Sequence, residues 1–102
     1  GNLVLTSGVI PVDPKTGEIP KTVEEQTELA LTSLKGLIED AGSAMANVIK
    51  TTVFIQNMDD FAKINEVYEK YFPQPCPSRS CVEVVKLPKG VLLEIEAICY
   101  VE

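Results

Sequence analysis

The chain has 102 residues and no composition shift or Ser/Gly-rich linker, so one domain over residues 1–102 is expected. At 45% hydrophobic residues a core can form, although so short a chain buries a modest share of its surface and often gains stability by self-association. A net charge of −6 and a pI near 4.6, with nine Lys and Arg scattered along the chain, oppose phosphate backbones and make nucleic acid a poor principal ligand. The absence of histidine removes His-dependent triads and His-ligated metal sites, leaving carboxylates, Arg, Cys and backbone groups to carry any chemistry.

Residues 3–12, LVLTSGVIPV, are rich in β-branched side chains and run into DPKTGE, where Asp13-Pro14 opens a turn and Gly17 can take a positive φ. This predicts a strand leading into a hairpin. Thr22 followed by Glu25 is a capping-box pattern, and Val23, Thr27, Ala30, Leu31, Leu34, Ile38 and Ala41 then recur at helical spacing up to Gly42, which predicts a helix of about 20 residues. VIKTTVFI, residues 48–55, alternates too loosely for a half-exposed strand and reads as a central strand covered on both faces. Asp59 or Asp60 is positioned to cap a second helix whose stripe is Phe61, Ile64, Val67, Tyr68 and Tyr71, ended by Pro73. A proline-rigid loop, QPCPS, leads to two further strands in RSCVEVV and VLLEIEAICYV, with KLPKG between them as an ordinary turn. Such an order implies an α+β sandwich with both helices on one face of a mixed sheet. The other face then needs cover, and a second subunit is the natural supplier.

No apolar run approaches the roughly 20 residues a membrane helix needs, and GNLVLTSG lacks the basic and apolar regions of a signal peptide. Cys76, Cys81 and Cys99 form no CxxC pair, which fits reduced thiols better than a disulfide framework. A soluble cytoplasmic protein is expected, with a mitochondrial compartment left open.

In the last strand Glu94 and Glu96 share a face. Two carboxylates among apolar neighbours either face water or meet a cation such as Arg79 or Lys50, and a glutamate in a partly dry cleft is a candidate general base for water. Arg79 is a candidate ligand contact because its planar fork binds a carboxylate bidentately, the alternative being a salt bridge to a glutamate. Cys81 alternates in register with Arg79, so both can face one cleft. Without a histidine partner its thiol reads first as a small buried hydrophobe. Asn65 lies at the border of the second helix's apolar stripe, either as a satisfied amide or as part of a site. Ser7 and Gly8 follow a strand, where a small hydroxyl and an unhindered N–H could face a ligand or simply form a bulge.

Taken together, TSGVIPVDPKTGEI, VIKTTVFIQNMDDFAKINEVYEKYF, PSRSCVEV and LPKGVLLEIEA resemble the RidA/YjgF family of imine deaminases, also labelled L-PSP endoribonucleases. The likeness covers nearly the whole chain. It implies a chorismate-mutase-like α+β fold and a homotrimer with active sites between subunits. It also implies hydrolysis of enamines and imines such as 2-aminoacrylate and 2-iminobutanoate, released by pyridoxal-phosphate enzymes, to 2-keto acids and ammonia. No cofactor or metal is implied. By the same resemblance Arg79 holds the substrate carboxylate, Glu94 orients and activates water, Cys81 contacts substrate through its backbone, Ser7 and Asn65 line or support the cleft, and Gly8 belongs to its wall. Family members also carry an N-terminal segment with a GPY-like motif whose tyrosine reaches the active site. This chain begins at Gly1, within the strand that should follow, so the resemblance implies a domain short of one cleft wall and an early strand. Two other functions compete, an endoribonuclease and a non-catalytic trimer that binds small carboxylates.

Overall fold

The computed structural model describes residues 2–102. A mixed four-stranded sheet carries two helices on one face. The strands are β1 (Leu3–Leu5), β2 (Val48–Ile55), β3 (Ser78–Glu83) and β4 (Leu93–Tyr100), and the helices are α1 (Val23–Asp40) and α2 (Phe61–Tyr68). The sheet order is β1-β4-β2-β3, with β2 parallel to β3 and antiparallel to β4. No helix among the described residues is long and apolar enough to cross a membrane.

Helix α1 starts where the capping box predicts: the Glu25 N–H donates to Thr22 Oγ1 at 3.1 Å, and the Thr22 hydroxyl donates to the Glu25 carboxylate at 2.9 Å. Its stripe of Ala30, Leu31, Leu34 and Ile38 is fully buried against Val53, Ile55, Leu93, Ile95 and Cys99 of the sheet. Each large aliphatic side chain buried in this way contributes about 1.5–3 kcal/mol. Along β4 the alternation is as expected, with Leu93, Ile95, Ala97 and Cys99 inward.

Several expectations are corrected. The first strand is three residues long, not ten. After Leu5, which pairs with Ile98, the next pairing is the bridge from Val9 to Ile95, so three residues of the first strand oppose two of β4. That is a bulge. The Thr6 hydroxyl takes the Ala97 N–H at 3.0 Å in the gap. The ladder stops at Pro11, which has no N–H to donate at the next position. The turn at Asp13 forms, with Gly17 at φ 75° and its N–H on Asp13 O, but the chain then enters α1 and no hairpin partner follows.

The entry to α2 differs as well. Asn57, rather than Asp59 or Asp60, supplies the capping oxygen, accepting from Asp59 N at 2.9 Å in a short 3-10 turn over Met58–Asp60. Helix α2 ends at Tyr68, five residues ahead of Pro73, and Tyr71 and Phe72 follow in turns. The connection between β3 and β4 is not a hairpin, because β2 lies between them.

Strand β2 is central, as its composition suggests, but within this chain only one of its faces is covered. Thr51, Val53 and Ile55 are buried under the helices, whereas Thr52 and Phe54 on the other face are half-exposed. The uncovered face also carries Leu3 and Leu5, 60% and 69% exposed, together with Ile98, Tyr100 and Val82.

Candidate functional site

Register across β2 fixes where the candidate side chains point, since residues directly opposite each other share a face. Thr51 is opposite both Arg79 and Ala97, and Val53 is opposite both Cys81 and Ile95, so Arg79 and Cys81 belong to the helix-covered face. Phe54 is opposite Val82 and Glu94, and Thr52 is opposite Ser80 and Glu96, so both glutamates belong to the uncovered face. Arg79 and Glu94 of one chain therefore point to opposite sides of the sheet. Of the two alternatives for the β4 glutamates, the pairing with Arg79 is not made. Lys50 does not supply it either, since its Nζ donates to Ser80 Oγ at 2.9 Å and Thr51 O at 3.4 Å.

On the helix side, the Arg79 side chain reaches from edge strand β3 onto α2. Its guanidinium carbon is 4.7 Å from the Tyr68 ring centre and 5.1 Å from that of Phe61. Cation–π contacts of this kind contribute about 0.5–2 kcal/mol each. Nη1 donates to Asn65 Oδ1 at 2.6 Å, and Asn65 Nδ2 donates in turn to Glu69 Oε1 at 3.0 Å. The Tyr68 ring is itself fixed, its hydroxyl sharing a buried 2.7 Å hydrogen bond with Thr51 Oγ1. Burial pushes the Tyr68 hydroxyl above its ordinary 10.0, against the lowering effects of the Thr51 bond and the Arg79 charge. Asn65, Tyr68, Glu69, Cys76, Pro77 and Arg79 line a cavity of about 260 Å³. A stacked, hydrogen-bonded guanidinium has already lost much of the rotamer freedom that binding an anion would otherwise cost, about 2 kcal/mol for a free arginine.

Cys81 is half-buried and does not line this cavity. Desolvation raises its thiol above the ordinary 9.0, with the nearby Arg79 opposing the shift, so at neutral pH it is a protonated thiol and a poor nucleophile.

On the uncovered face, the bulge after β1 brings Gly8 against Glu94. A Cβ at position 8 would lie 1.8 Å from Glu94 Oε2 and 2.8 Å from its Cδ, so only glycine leaves the carboxylate where it is. Ser7 is exposed beside it and makes no side-chain hydrogen bond among the described residues. Of the six candidate residues, Arg79, Asn65 and Cys81 thus lie on the helix side of the sheet and Glu94 and Gly8 on the other, with Ser7 exposed in the bulge next to Gly8.

The chain has recognisable kin. The family model described as Endoribonuclease L-PSP matches residues 1–101. The chain belongs to that family. A RutC family protein of Pyrococcus horikoshii is 52% identical over 103 residues, covering 100% of this chain and 82% of the relative. The 2-iminobutanoate/2-iminopropanoate deaminase of Escherichia coli K12 is 48% identical over 101 residues, 96% of this chain and 79% of the relative. Among solved structures, Escherichia coli TdcF with bound serine superposes with a TM-score of 0.95 at 50% identity, over 100% of this chain and 83% of that one. The α+β fold expected from the L-PSP resemblance is therefore the fold observed.

Sequence reasoning missed part of the arrangement around Arg79. Phe61 and Tyr68 read as core stripe, and Tyr68 is indeed buried, yet both rings also carry the guanidinium. Glu69 drew no notice, although its spacing of four from Asn65 places the two on one helical face.

Proposed function

We propose that this chain is an imine deaminase that hydrolyses small 2-imino acids, and the enamines that tautomerise to them, to 2-keto acids and ammonia. One observation carries the reading. In a chain 48% identical to a 2-iminobutanoate/2-iminopropanoate deaminase, Arg79 is stacked and oriented beside a cavity by a neutral amide, with no carboxylate of the described residues bonded to it.

In this reading the Arg79 fork grips the carboxylate of 2-iminobutanoate or 2-iminopropanoate through two parallel N–H···O bonds. 2-Aminoacrylate enters by the same route once its terminal carbon has taken a proton. Water attacks the imine carbon while Glu94 accepts one of its protons, and the nitrogen is protonated. The C–N bond of the resulting carbinolamine then breaks to give ammonia and the keto acid. Imine plus water becomes keto acid plus ammonia without redox change, the protons that Glu94 takes from the oxygen being passed on to the departing nitrogen. Asn65 supports Arg79, the Cys81 backbone contacts substrate, and Ser7 and Gly8 form the wall beside Glu94.

Because Arg79 and Glu94 of one chain face opposite ways, the proposal requires a second copy to complete each site. The uncovered apolar face with Leu3, Leu5, Ile98 and Val82 supports such an assembly. A homotrimer of single domains with sites between subunits is the form proposed, the number three resting on the family resemblance. A cytoplasmic setting belongs to the same proposal. The family's endoribonuclease description favours a second reading, but a net charge of −6 opposes the phosphate contacts that RNA cleavage needs.

The test is keto-acid release from 2-iminobutanoate generated in place by a threonine dehydratase, with semicarbazide trapping the imine. The protein should accelerate release and its Arg79→Ala variant should not. A parent protein no faster than buffer would remove the deaminase.

A further inference from the structure

We infer that Glu69 is a positioning residue that sets the hold of Arg79 on a carboxylate by fixing which way the Asn65 amide faces. The inference rests on the proposed anion-binding role of Arg79. A side-chain amide has two nearly isosteric orientations, and only one presents an oxygen to the guanidinium; the other sets N–H donors against N–H donors. What decides between them is the partner at the far end of the amide. That partner is the Glu69 carboxylate, which can only accept, and its Oε1 lies 3.0 Å from Asn65 Nδ2. With the NH₂ group committed there, Oδ1 must face Arg79, where it accepts at 2.6 Å. The backbone keeps the pair in step, because the Glu69 N–H donates to the Asn65 carbonyl at 3.0 Å where α2 ends.

The arrangement also explains why the acid lies one residue removed from the guanidinium. A carboxylate in direct contact would form an internal ion pair, and an incoming anion would have to displace it. Through Asn65, Glu69 orients Arg79 while no carboxylate of the described residues bonds the guanidinium. Yet Glu69 lines the same cavity. As a bare charge it would repel an anionic ligand, so the two roles predict opposite signs when it is removed.

The experiment compares full chains carrying Glu69→Met, of similar shape but without an acceptor, and Glu69→Gln, which can still turn a carbonyl oxygen toward Asn65. Calorimetric binding of 2-ketobutyrate, KM and kcat for 2-iminobutanoate, and the NMR signals of the Arg79 guanidinium are read on each. Glu69→Met should weaken 2-ketobutyrate binding and raise KM about tenfold with kcat within about twofold, and should speed rotation of the Arg79 guanidinium. Glu69→Gln should restore both affinity and slow rotation. Binding by Glu69→Met as tight as the parent's, or tighter, would mean that Glu69 acts as charge alone and would overturn the inference. If the parent neither binds 2-ketobutyrate nor turns over the imine, the deaminase reading falls. The guanidinium signals then decide alone: faster rotation in Glu69→Met upholds the positioning role, and unchanged rotation refutes it.

Discussion

Co-expression of two inactive variants, Arg79→Ala and Glu94→Gln, tests the division of the site between chains. Removing Arg79 costs the two charge-assisted bonds to the carboxylate, about 1.5–3 kcal/mol each, which lowers kcat/KM roughly 10²- to 10⁴-fold. Removing the Glu94 carboxylate costs a general base, typically 10²- to 10⁴-fold. Each variant alone should therefore retain at most about 1% of parental activity. The register places Arg79 and Glu94 on opposite faces of one sheet, so in the proposed assembly a working site would take Arg79 from one chain and Glu94 from its neighbour. In a closed ring assembled at random from equal amounts, about one site in four receives the intact member of each pair. The co-expressed population as a whole, its composition verified by native mass spectrometry, should thus show about a quarter of parental keto-acid release. If both groups of a site came from the same chain, no mixed assembly would contain an intact site. Verified mixed assemblies no more active than either variant alone would refute the two-chain site.

Gly8→Ala should fold normally, because the atom it meets is the end of a flexible side chain, but should lower turnover about a hundredfold by displacing the Glu94 carboxylate; circular dichroism and the coupled assay check the two halves. Leu5→Glu should change monomer stability by less than about 0.5 kcal/mol while shifting size-exclusion elution to a single chain, since Leu5 is 69% exposed in the single chain and is covered only in the proposed assembly. Unaltered elution would remove that face from the interface. Burial raises the Cys81 thiol above 9.0 and the Tyr68 hydroxyl above 10.0, which favours their neutral forms in the folded state. Their contribution is complete below those values and is lost as pH rises through the raised folded ones, so the urea midpoint should hold from neutrality to about pH 9 and fall above it. Iodoacetamide at pH 8 should modify exposed Cys76 well before Cys81 or buried Cys99.

Local chemistry was the legible part of the sequence. The Thr22 and Glu25 cap, the stripe from Val23 and the alternation of β4 each depend on residues near one another in the chain, and each formed as expected, except that the stripe stops at Ile38 and Ala41 is exposed past the end of α1. The shared face of Arg79 and Cys81 followed from simple alternation. What could not be read was parity between strands. That Arg79 and Glu94 point oppositely depends on the register of β3 and β4 against β2, which no single strand's pattern encodes. The bulge before Gly8 depends on the Thr6 hydroxyl substituting for a backbone acceptor, and the α2 entry on Asn57 rather than on the nearer aspartates. Phe61 and Tyr68 were hidden because an aromatic that carries a cation has the same spacing as one that fills a core.

The grip that Arg79 offers has a consequence for how such an enzyme is drained. Stacked on two rings and steadied by Asn65, the guanidinium in the proposed site holds a carboxylate, a group that hydrolysis leaves untouched. Starting material and end product are therefore held nearly alike, and that part of the affinity lowers KM without lowering the barrier. The keto acid should accordingly occupy the site at concentrations close to those of the imine. Forward flux then depends on whatever reaction next consumes the keto acid, and a cell that lets it accumulate slows its own disposal of imines.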